Sequence, residues 1–149
     1  MRSLVLAQVV STYGMVAVIL FVQLVHYPLF AQVGAAGFAR YEALHTQRIS
    51  WIVVPLMLVE ALTALALLGT DVSFASRHER WVGLGLVALA WGVTFFLSVP
   101  AHARLAGGFD AEAHARLVGT NWLRTAAWCA RGGLVTLWLH RLLALYEGR

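Results

Sequence analysis

The sequence predicts an all-α, integral-membrane four-helix bundle: one domain over 1–149, antiparallel, with its second and fourth helices extended beyond the membrane on one side. Three observations carry this. Hydrophobic residues make up 60% of the chain and charged residues 12%, with a mean hydropathy of +0.75, far from soluble-domain averages. Four stretches, about 4–27, 49–69, 81–100 and 118–145, reach the roughly 20 helical residues that cross a hydrocarbon layer of about 30 Å. Each is continuously apolar, without the alternation of barrel strands, which excludes a transmembrane β-barrel.

The first stretch follows Arg2 and outruns the apolar core of a signal peptide, so a retained span is expected rather than a cleaved leader. Pro28 is expected to end or bend it. After Gly37 the chain is a good helix former that runs straight into the second span. The next connection, TDVSFASRHER, is short and polar, as between antiparallel neighbours. Pro100 is expected to bend the third span, Gly107 and Gly108 to break it, and Asp110 to N-cap a helix continuing through the fourth. No repeat, low-complexity tract, linker or matched pair of broken helices is visible. The single cysteine, Cys129, reads as a buried packing thiol with no intrachain disulfide. Gly83, Gly85, Ala88 and Gly92 allow close helix contact within the bundle or across a homodimer.

The net charge of +4 comes from eleven arginines and no lysine, scattered over the connections, a pattern for membrane loops and not for nucleic acid. Arg2, Arg77, Arg80, Arg141 and Arg149 fall on the side of the termini, against Arg40, Arg48, Arg104 and Arg116 on the other. The two sides nearly balance; the expectation is a bacterial inner-membrane protein with both termini cytoplasmic. Tyr27, Trp51, Trp81 and Trp122 lie near span ends, where aromatic rings anchor at headgroups.

Ionisable and amide groups crowd onto the end opposite the termini. His26 closes the first span, Glu42, His45 and Arg48 lead into the second, His102 closes the third, and His114, Asn121 and Arg124 lead into the fourth. His78 and His140 lie toward the opposite end. Glu42 and His45, three apart, share a helical face continuing through Ile49 and Leu56 to Glu60. A Glu-x-x-His pair is the element that di-iron bundles use twice, but only one occurs, so a mononuclear iron, copper or zinc site on His26, Glu42, His45, His102 and His114 is the metal reading, with haem b less well placed. The bland reading makes these residues interfacial hydrogen-bonders. Deeper still, Glu60 and Arg131 lie roughly 16 and 19 Å in, where a charge is costly and either pairs or functions. Gln23, Trp91 and Thr94 are the candidates for contacting a cofactor or flat lipophilic ligand, with Phe95 and Phe96 nearby.

VHYPLF, then FARYEALHTQR with PLMLVEALTALAL, then SVPAHARL and RLVGTNWLRTAAW together resemble the anthrone-oxygenase-like family of small four-span membrane proteins. The resemblance covers nearly the whole chain and implies a four-helix membrane fold and oxygenation of a reduced aromatic to a quinone, the activity of fungal relatives. His45, His102 and His114 are not carried by it.

The functional expectation is a membrane oxidoreductase or oxygenase acting on a lipophilic aromatic or quinone-like molecule. In it, His45 or a bound metal takes a proton or activates dioxygen, Asn121 and Arg124 stabilise an oxyanion, and Glu60 relays protons or contacts substrate. The alternative is a non-enzymatic membrane protein that binds a cofactor or lipid, or an accessory subunit of a larger complex. A transporter is the third class, motivated by Glu60 and Arg131 alone.

Overall fold

The computed structural model describes residues 1–147; Arg149, counted above with the arginines near the termini, lies outside the described residues. All described secondary structure is helical. Four helices form the bundle: α1 (Arg2–Gln32), α2 (Ala35–Leu68), α3 (Arg77–Leu105) and α4 (Ala111–Glu147). Consecutive helices pack together, and α1 closes the ring against α4. The first three are long and apolar enough to cross a membrane. The fourth does not meet that standard, because Arg124, Arg131 and Arg141 interrupt its apolar run. Large apolar side chains stay on the outer surface, among them Trp51, Leu62 and Phe96, as a lipid-facing surface requires.

Both proline expectations hold in altered form. Proline lacks an N–H and clashes with the carbonyl four residues back. Neither Pro28 nor Pro100 breaks its helix. Instead α1 winds into a π-helical turn at Val22–His26 and α3 into another at Thr94–Ser98, each ending two residues before the proline. The irregularities therefore occupy matching places in the two halves of the chain, a correspondence that apolar run length does not predict. Pro55 stays within an unbroken α2. Gly34 and Gly108, at φ 82° and 137°, let the chain turn into α2 and α4 where a side chain would be strained.

The Asp110 carboxylate accepts the Ala113 N–H at 2.9 Å and so caps α4 as expected, and Arg104 reaches it at 2.8 Å. That N–H first, and Arg104 after it, hold the carboxyl below its ordinary range. A depressed carboxylate contributes stability above its unfolded pKa, near 4, and loses it as pH falls through the lower folded value. Asp110→Ala is accordingly expected to lower the melting temperature at neutral pH, by an amount that shrinks as pH falls from about 4 through the depressed folded value, readable by thermal melts in detergent.

At the end carrying the termini, Ser76 and Glu79 form a capping box that starts α3. Arg80, expected in a charged loop, is buried and donates to the Leu67 and Thr70 carbonyls that end α2. Cys129 corrects another expectation: it is exposed on the outer face of α4.

Mid-bundle, Glu60 and Arg131 meet as a buried pair, Nε to Oε1 at 3.5 Å. Glu60 also accepts the Thr12 hydroxyl at 2.9 Å and the Trp128 indole N–H at 2.7 Å. Gln8 extends the network, donating to Thr12 at 2.8 Å and accepting from Thr63 at 3.1 Å. Gly83 makes room for it, since a Cβ there would collide with Arg131 Nη1 and crowd Leu134. Gly83→Ala is expected to cost about 1–3 kcal/mol through overpacking. Gly85→Ala meets nothing and should gain up to about 1 kcal/mol of helix propensity, so equal melting temperatures for the two variants would refute the packing role of Gly83.

Candidate functional site

The far end of the bundle holds the histidines. Glu42, fully buried on α2, faces His102 on α3, with Oε1 to Nδ1 at 2.5 Å. A carboxylate accepts, so Nδ1 carries the proton, and the neutral ring then offers Nε2 as an acceptor to the Tyr27 hydroxyl at 2.9 Å. Glu42, His102 and Tyr27 form a line of three groups, carboxylate, imidazole and phenol, in the order that polarises the terminal O–H. Arg124 lies against the Tyr27 phenol from α4. Tyr27 was read from sequence as a headgroup anchor. It is instead 3% exposed and central to the site.

The other imidazoles complete a ring of contacts. His26 Nε2 and His45 Nδ1 bond at 2.8 Å, and the His45 and His102 rings lie 5.5 Å apart. His114 turns away, donating to the Tyr27 backbone carbonyl at 2.8 Å. Phe30, with no exposed surface, sits among them, 5.1 Å from the His45 ring and 6.2 Å from His114. Convergence of His26, His45, His102 and His114 on Glu42 is therefore as the spacing predicts, but coordination geometry is not. Among the described residues no group of three or more His, Cys, Asp or Glu side chains is placed to hold a metal ion. The contacts give a physical reason: five of the eight ring nitrogens already have partners, in one another, Glu42, Tyr27 and a backbone carbonyl, and Phe30 sits among the rings. The direct His26–His45 contact likewise leaves no space for a haem between them.

Behind His102 a cavity of about 510 Å³ runs between α1, α2 and α3, a size suited to a drug-sized molecule. Met15, Ile49, Val53 and Met57 give it apolar walls, and Tyr27, His102 and Arg124 lie at its polar end. The π turn of α3 and the α-helical turn after it present Thr94, Phe95, Ser98, Val99 and His102 to this space. Trp91 and Thr94 line this space. Gln23 does not: its amide accepts from Asn121 at 2.8 Å and donates to the Val118 carbonyl at 3.3 Å. Asn121 in turn accepts from Arg124 at 3.0 Å, so it positions the guanidinium and does not line the cavity. His45 borders a separate groove with His26, Tyr41 and Arg48. Glu60 belongs to the Arg131 network and lines no part of the cavity.

Comparison with protein-family models, curated proteins and solved structures found no match.

Proposed function

We propose that this protein is a membrane-embedded oxygenase that binds a reduced, lipophilic aromatic between its helices and converts it to a quinone. The observation that carries the reading is the Glu42–His102–Tyr27 line ending, beside Arg124, at the mouth of an apolar cavity. Such a cavity suits a molecule dissolved in lipid. All four helices cross the bilayer antiparallel, with Arg124 and Arg131 of α4 facing the bundle interior. At about 1.5 Å per residue, the 34 residues of α2 and 37 of α4 exceed a hydrocarbon layer of about 30 Å, so both project beyond it at the histidine end. The membrane is a bacterial inner membrane, with both termini on the cytoplasmic side.

The chemistry starts with proton abstraction. An aromatic ketone with an acidic ring CH2 gives a proton to Tyr27 as the phenol proton passes to His102 Nε2, and Glu42 stabilises the imidazolium. Arg124 holds the resulting enolate oxygen. The electron-rich carbanion reacts with dioxygen, one oxygen atom replaces the two hydrogens of the CH2, and the other leaves with those hydrogens as water. The imidazoles act here as proton carriers. The resemblance in sequence to anthrone-oxygenase-like proteins points to the same reaction class. Purified protein in lipid vesicles is expected to consume one dioxygen per quinone formed and to place one labelled oxygen in the product from isotopic dioxygen. Tight binding of the aromatic with no catalysed oxygen uptake would instead favour the non-enzymatic binding reading.

A further inference from the structure

We infer that the cavity selects a two-ended ligand, with an oxygen that carries or gains negative charge at Arg124 and Ser98 and a second oxygen acceptor at the Trp91 indole N–H. The inference rests on the cavity being the substrate site and adds what that substrate must carry.

Three cavity-lining donors are left unserved by the protein. Other buried or half-buried serine and threonine hydroxyls in the helices have partners, several of them the carbonyl four residues back, as for Thr63 to Val59 at 2.7 Å and Thr94 to Ala90 at 2.8 Å. Ser98, at the end of the π turn and 2% exposed, does not: its hydroxyl has no partner. The Trp128 indole meets Glu60, whereas the Trp91 indole meets nothing. Arg124, 6% exposed, leaves Nε unpartnered and has no carboxylate in ion-pair range among the described residues. Buried donors left unmade are costly, and a buried cation without a counter-charge more so. All three line one cavity, so one occupant can satisfy them. A hydrocarbon would leave every donor orphaned, and a fatty acid would serve Arg124 and Ser98 but not Trp91. Seven residues at about 1.5 Å each separate Trp91 from Ser98 by about 10 Å along the helix, so the two oxygens lie across a fused-ring skeleton and not on a single ring.

Calorimetric titration of the purified protein in detergent tests this with three tricyclic quinones, carrying a hydroxyl on each terminal ring, a hydroxyl on one, or none. The wild type is expected to bind the first about tenfold more tightly than the second. Trp91→Phe should remove that preference by weakening the two-hydroxyl ligand alone. Ser98→Ala should weaken both hydroxylated ligands and leave the hydroxyl-free quinone unaffected. Equal wild-type affinity for the first two ligands, or equal weakening of all three by Trp91→Phe, overturns the inference, and the wild-type ratio decides it even where a variant fails to fold. Discrimination without oxygen uptake removes the oxygenase reaction and keeps the two-ended ligand. Oxygen uptake without discrimination does the reverse.

Discussion

Glu60→Leu is expected to destabilise the protein by about 3–5 kcal/mol, the cost of leaving a buried charge without its partner. Arg131 is 1% exposed and none of its three nitrogens makes a hydrogen bond, so the Glu60 carboxylate is the main compensation for its charge. The same substitution orphans the Thr12 hydroxyl and the Trp128 indole. Glu60→Leu combined with Arg131→Leu removes both charges together, and apolar replacement of a whole buried pair is often neutral or stabilising. Thermal melts in detergent should therefore rank the double variant well above the single one. A single variant as stable as wild type would mean that Arg131 finds its compensation elsewhere. Because Glu60 lines no part of the cavity, the double variant should also keep ligand affinity.

His102→Ala is expected to lower turnover by roughly a hundredfold to ten-thousandfold, the usual contribution of a positioned acid–base group. Substrate affinity should change much less, because Arg124 and the apolar walls remain. Glu42→Gln preserves shape but takes away the charge that stabilises the protonated ring, so it should reduce kcat in the same direction with KM nearly constant. Tyr27→Phe should act on the same step. His78→Ala, at the opposite end, should leave turnover unchanged. Steady-state oxygen uptake on the four variants distinguishes this pattern from a purely structural role, in which KM and melting temperature would move together.

Much of the arrangement was legible in the sequence because the constraints that set it are coarse. Apolar run length gave the helices, and connection parity brought His26, His45, His102 and His114 to one end. The cost of burying charge made a Glu60–Arg131 pair one of two readings, and the pair is what forms. What escaped depends on which way a single helix face turns. Outside the charged positions these helices are apolar on nearly every side, so periodicity does not tell an interior residue from a surface one. That is why Cys129, expected inside, lies outside, and why Tyr27, expected at the headgroups, is central. The π turns are a second cause. Each shifts the register of the helix beyond it, which apolar run length does not reveal. A polar residue two places before each proline, His26 before Pro28 and Ser98 before Pro100, was the available signal. A metal site was one of two readings of the clustered histidines. The clustering is real, but five of their ring nitrogens bond one another, Glu42, Tyr27 or a carbonyl, closer to the hydrogen-bonding reading.

The central claim is that the cavity behind His102 holds the aromatic substrate, and a structure of the protein with a hydroxylated tricyclic quinone tests it most directly. The account predicts a flat molecule between α1, α2 and α3, with one oxygen within hydrogen-bonding distance of Arg124 and the Tyr27 hydroxyl and its far end reaching the Trp91 indole. A quinone seated in the His26–Arg48 groove, or on the outer surface with the cavity closed by side chains, would contradict it.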